Sequence, residues 1–203
     1  MLRVFVLTTA LAGGAVVLLP AMLSAQAART STRSECVSSP GAGVKSRRTF
    51  CDVLVGETPG GSVSMIVPAR TGQATLRFDL HNRFDIPVVM GFPGASYARH
   101  EAVVRVVGED ATVIGRAAVV REFRTMTDLF DQLAGGGRPG GLKAVAPGAP
   151  ESVRFSIPAG VTTIGIVGEH LRVRTAVGGE ATFDAPGRPV AMVSNLRLEY
   201  RPR

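Results

Sequence analysis

The sequence predicts an all-β protein, a single-domain antiparallel β-sandwich of jelly-roll type with one short helix at about residues 126–134. Three observations point there. Apolar and polar residues alternate through Leu76-Arg77-Phe78-Asp79-Leu80, and a strand sends successive side chains to opposite faces. The same apolar–Arg–apolar beat returns at Val104-Arg105-Val106, Val153-Arg154-Phe155, Leu171-Arg172-Val173 and Leu196-Arg197-Leu198. Turn residues punctuate these runs, and no strand–helix–strand alternation is present to build a doubly wound sheet.

The first 27 residues stand apart. Arg3 precedes an apolar run, Pro20 breaks it, and Ala25-Gln26-Ala27 forms a small-residue cleavage site. This reads as a signal peptide, residues 1–27, with the mature chain starting at Ala28 in a periplasmic or extracellular setting. After cleavage, no remaining segment is long and apolar enough to span a bilayer. Residues 28–48 read as an N-terminal leader with a disulfide loop, and residues 49–203 as the sandwich. Cys36 and Cys51 are the only cysteines. In an exported chain they are expected to pair, because redox pairs usually have C-x-x-C spacing and zinc would need two more ligands.

Within the sandwich, residues 49–55 and 62–67 read as strands around the turn Thr58-Pro59-Gly60-Gly61. Residues 74–81 form the next strand. Residues 82–101 then read as a long irregular connection, and such loops often carry function. Residues 102–107 and 111–124 form a hairpin over Gly108-Glu109-Asp110, with Gly115 marking a bulge. The helix rests on Met126, Leu129, Phe130 and Leu133 at i, i+3, i+4 and i+7, with Thr125 as its cap. A glycine loop follows. Residues 152–157 and 163–167 are strands, His170 reads as a turn residue, and 171–177 pairs with 180–184 across Gly178-Gly179. Residues 190–200 close the fold as a central strand.

Composition narrows the function. The 203 residues carry a formal charge of +7, and arginine supplies 21 of the 23 basic residues. With so many Ala, Gly and Val residues alongside, this basicity reflects composition as readily as a basic surface, so no nucleic-acid partner is expected. There is no Trp, and there are two Tyr and nine Phe. Few rings are left for stacking on sugars or single-stranded bases.

Four local patterns bear on chemistry. Gly136-Gly137-Arg138-Pro139-Gly140-Gly141-Leu142-Lys143 fails as a phosphate loop, since Ala144 stands where Ser or Thr is required. Gly94-Ala95-Ser96-Tyr97-Ala98 lacks the final glycine and the α/β setting of a nucleophile elbow. Asp79 and His81 share a strand face, and with Asn82 and Asp85 they could gather at a metal; solvated or paired side chains are the plainer reading. The loop region collects His81, Asn82, Asp85, Tyr97 and His100 as candidate binding residues. The fourth pattern is the set Arg77, Arg105, Arg154, Arg172, Arg174 and Arg197, all on the polar sides of strands. If their strands are neighbours they make a basic face suited to an anionic partner; cross-strand pairing with Asp79, Glu122 or Glu199 would cancel it.

The sequence therefore predicts an exported, non-catalytic β-sandwich that binds or scaffolds at the cell envelope. The expected partner is an anionic envelope polymer or another envelope protein, and no cofactor or metal is expected. The alternative is a secreted hydrolase or metal-dependent enzyme using residues 82–101.

Overall fold

Alternation of apolar and polar residues becomes sheet almost throughout. The computed structural model describes residues 28–30, 33–83, 97–123, 129–134, 142–147 and 149–203. The strands are β1 (Ala28–Thr30), β2 (Ser34–Cys36), β3 (Gly41–Gly43), β4 (Thr49–Leu54), β5 (Val63–Ile66), β6 (Ala74–Asn82) and β7 (Ala98–Gly108). They continue with β8 (Val113–Phe123), β9 (Leu129–Ala134), β10 (Leu142–Pro147), β11 (Glu151–Ile157), β12 (Thr163–Thr175), β13 (Glu180–Phe183) and β14 (Pro189–Tyr200).

Two antiparallel sheets pack face to face. The eight-stranded sheet runs β10-β9-β3-β4-β14-β6-β11, with β1 also on β14. The six-stranded sheet runs β2-β5-β12-β7-β8, with β13 also on β12. Leu76, Phe78 and Leu80 of β6 are 0%, 2% and 0% exposed, so the alternation does set the inward face. They share one buried cluster with Ala102, Val104, Val106, Ile164, Leu171 and Val173 of the other layer. Each large aliphatic or Phe side chain so buried contributes about 1.5–3 kcal/mol.

The expected short helix is a strand instead. Residues 129–134 form β9, which pairs with β10 on one side and β3 on the other; residues 126–128 lie outside the described residues. A helix of nine residues is marginal in water. Two partner strands give residues 129–134 a ladder that the local 3.6-residue pattern could not reveal. The lone helical element among the described residues is a 3-10 turn, Pro59–Gly61.

Residues 28–48 are more integrated than a leader would be. β1 pairs with β14, β2 with β5, and β3 with β4. The two runs 163–167 and 171–177 are one strand, β12, whose register slips between Gly168 and His170. Its partner β13 folds back over Gly178, at φ 86°, as the Gly-Gly signal predicts.

Two devices lock the layers. Cys36 on β2 and Cys51 on β4 are disulfide-bonded, with Cα atoms 5.6 Å apart, so the bond joins one sheet to the other. Such a bond fits an oxidising environment. At the β8–β11 side, Gly115 sits at the bulge between Val106 and Val107, and a Cβ there would meet the Phe155 ring at 2.5 Å. Phe155 in turn stacks on Phe78, with centroids 6.1 Å apart. No helix among the described residues is long and apolar enough to cross a membrane.

Candidate functional site

The outward face of the eight-stranded sheet carries the site, and a bulge creates it. β6 alternates regularly, so Arg77 and Asp79 point away from the core between Leu76, Phe78 and Leu80. On the edge strand β11, Arg154 lies directly opposite Arg77 and Ser152 opposite Asp79. On the other flank, β14 pairs Ser194 with Asp79 and then Arg197 with Arg77. Three residues of β14 therefore advance against two of β6, which is the signature of a β-bulge. Asn195 takes up the extra residue at φ 53°, a left-handed conformation that Asn tolerates better than most residues. Were the extra residue not absorbed, strict alternation from Ser194 would turn Arg197 to the inward face and Leu198, now 0% exposed, to the outward one.

The result is a row of three arginines, Arg197–Arg77–Arg154, across three adjacent strands. Arg77 is half-buried, and its Nε lies 3.0 Å from Glu199 Oε1. Arg154 and Arg197 are exposed and have no ion pair among the described residues. Like charges placed directly opposite on neighbouring strands are destabilising. Beside the row, Asp79 is held by Arg48 at 3.3 Å, by the Ser152 hydroxyl at 3.1 Å and by the Asn195 amide at 2.6 Å. Arg77, Asp79, Ser152, Arg154, Asn195 and Arg197 line a groove of about 250 Å³, in which the only ring among the described residues, Phe78, is 2% exposed.

The other three candidate arginines lie on the six-stranded sheet and are paired. Arg105 reaches Glu169 at 3.3 Å and the Gly56 carbonyl at 2.8 Å. Arg172 and Arg174 share Glu180, at 3.5 and 2.9 Å. The six thus divide between two outward faces, and only the Arg77 group forms a row.

The residues of the 82–101 region disperse. His81 is on the outward side of β6 and is 3% exposed; its Nε2 is 2.9 Å from Ser194 Oγ and its ring meets Phe50 edge-on at 5.0 Å. Phe50, Asp52, Met192 and Ser194 are buried beside it, so half of this outward face is closed. Asn82 points inward and its amide donates to the carbonyls of His100 and Val119, at 3.0 and 3.2 Å, tying the two sheets together. His100 is fully buried on the inward side of β7, so the eight-stranded sheet separates it from His81. Tyr97 donates to Glu122 at 2.6 Å. Asp85 and Ser96 lie outside the described residues, as do the signal-peptide region, residues 1–27, and residues 135–141 of the glycine loop. Asp79 and His81 share a face yet engage different partners, and among the described residues no three His, Cys, Asp or Glu converge as a metal site.

Two members of the groove, Ser152 and Asn195, are not among the candidates drawn from the sequence. Asn195 had a signal: Ser194-Asn195-Leu196 interrupts the alternation of β14, and Asn in a strand marks a bulge or turn. Ser152 gave none, because its neighbour is set by strand order. No family model, curated protein or solved structure matches this chain.

Proposed function

We propose that this is an exported, non-catalytic binding module of the cell envelope, which holds an anionic partner on the outward face of its eight-stranded sheet. The observation that carries the reading is the bulge-dependent row Arg197–Arg77–Arg154, with its two outer guanidiniums unmatched by carboxylates among the described residues. Stability alone does not account for it, since neighbouring like charges work against the sheet. Local rules are broken in this way chiefly where function requires it. Guanidinium groups suit the task, presenting a rigid fork of donors to carboxylate, sulfate or phosphate oxygens. Export is supported by the leader pattern of residues 1–27 and by the inter-sheet disulfide.

The test is retention on an immobilised polyanion, dextran sulfate, eluted with a salt gradient. The protein should be retained at low salt, and Arg154→Gln/Arg197→Gln should elute early. Arg172→Gln/Arg174→Gln, on the other sheet, should elute with the parent. Equal elution of all three proteins would remove the site from consideration. Export is checked separately: the N-terminus of protein recovered outside the cytoplasm should be Ala28.

A further inference from the structure

We infer that the anion held at this row is the carboxylate of an acidic glycan, a polyuronate-type chain lying across strands β14, β6 and β11. The inference rests on the reading above that the row binds anions, and it takes the chemistry of the groove one step further.

Charge sets the first constraint. Arg77 is matched by Glu199, and Asp79 by Arg48. Among the described residues, Arg154 and Arg197 remain as two single positive charges flanking the groove. They are two strands apart, which is about 10 Å at the usual strand spacing. Such a pair matches two separate singly charged groups better than one compact dianion. A planar carboxylate can meet a guanidinium through two parallel hydrogen bonds.

Hydrogen-bonding capacity sets the second. The Ser152 hydroxyl donates to Asp79 Oδ1, and the Asn195 amide nitrogen donates to Asp79 Oδ2. With its one hydrogen committed, Ser152 Oγ can only accept, while Asn195 keeps Oδ1 as an acceptor and one amide N–H as a donor. Acceptors between two cations select a ligand that carries both anionic groups and hydroxyl donors. A sugar acid has both; phosphate and sulfate ester oxygens only accept, so they meet the arginines but leave Ser152 Oγ unused.

Shape and surface set the third. A cavity of about 250 Å³ is smaller than the roughly 300–1,000 Å³ that engulfs a drug-sized ligand. It can seat about one ring, with the rest of a chain outside and free to leave over the open edge at β11. Neutral sugars and single-stranded nucleic acid are held mainly by stacking, and among the described residues no exposed ring lines the groove. A lipid surface would be met by apolar side chains as well as cations. The exposed large apolar residues Val37, Val44, Ile66 and Val177 are all absent from the groove lining.

Titration calorimetry on the purified protein at low salt tests this. The probes are an oligogalacturonate, its fully methyl-esterified form, dextran sulfate and phosphatidylglycerol vesicles. The oligogalacturonate should bind, and its methyl ester at least 10-fold more weakly. Arg154→Gln/Arg197→Gln should lose at least 10-fold for the oligogalacturonate, while Arg172→Gln/Arg174→Gln retains full affinity. Ser152→Ala with Asn195→Gly, which keeps the left-handed backbone, should weaken the oligogalacturonate about threefold or more and leave dextran sulfate unchanged. Equal binding of the acid and its ester overturns the inference. Binding of dextran sulfate or vesicles without the oligogalacturonate also overturns it, while leaving the anion reading intact. Binding of none of the charged probes overturns both.

Discussion

Removing charge from the arginine row should stabilise the protein, against the usual direction for substitutions. The perturbation is Arg154→Gln with Arg197→Gln, which shortens each side chain modestly and deletes its charge. Both residues stand opposite Arg77 in register. At the ~4.8 Å spacing of neighbouring strands, two unit charges in water repel by about 0.9 kcal/mol. Exposed heads can splay to roughly twice that distance, which halves the figure. Glu199, 3.0 Å from Arg77, offsets part of what remains. The double variant is therefore expected to gain about 0.5–1 kcal/mol at low salt. For a domain of this size that is a rise of about 1–4 °C in Tm. The assay is thermal unfolding at ~10 mM and ~1 M salt, where the screening length falls from about 30 Å to about 3 Å. The gain should be present at low salt and vanish at high salt. A destabilised double variant at low salt, or a gain independent of salt, would mean that the row carries no electrostatic cost. The row would then need no functional reason to persist.

Breaking the inter-sheet disulfide, by reduction or by Cys36→Ala/Cys51→Ala, opens a loop with a sequence separation of 15; a loss of about 3 kcal/mol is expected, read from the urea midpoint. Gly115→Ala places a methyl group 2.5 Å from the Phe155 ring and should cost about 1–3 kcal/mol by overpacking. Phe155→Leu in that background should recover part of the loss, and simple additivity of the two changes would contradict the contact. The Asp110 carboxyl is held below its ordinary value, first by the Thr112 hydroxyl and then by the Thr112 backbone N–H. A lowered folded-state value favours the folded form above the ordinary carboxylate range, and the benefit disappears as pH falls through the lowered value. Carboxyl carbon NMR titration should find Asp110 titrating below the exposed aspartates, and Thr112→Val should bring it back up.

The sandwich was legible because most strands keep one face buried, and period-two alternation records that directly. The β7–β8 and β12–β13 hairpins were legible because their turns need glycine or a positive φ, as at Gly178 and Ala111. Residues 129–134 were misread for an equally physical reason. Leu129, Phe130 and Leu133 fit one helix face, and no local property of that segment encodes the strands β3 and β10 that pair with it. β1 and β2 were missed similarly. Three-residue strands are too short for alternation to register, and their pairing with β14 and β5 is a tertiary fact.

The site depended on information of a different order. Arg77, Arg154 and Arg197 were each visible as outward residues, but their meeting needed β14 and β11 to flank β6, at separations of roughly 75–120 residues. It also needed the phase of β14 to change midway. Val193 and Leu198 are both inward, five residues apart, which strict alternation forbids. Asn195 resolves the conflict by absorbing one residue at positive φ and then anchoring to Asp79. The same side chain therefore sets the direction of Arg197 and supplies one wall of the groove. Asn195→Gly should leave the row in place, because glycine accepts the same backbone. A β-branched residue such as Val resists positive φ, and it should destabilise the turn of phase and abolish anion retention together. If Asn195→Val binds dextran sulfate as well as the parent does, Arg197 does not owe its position to the bulge.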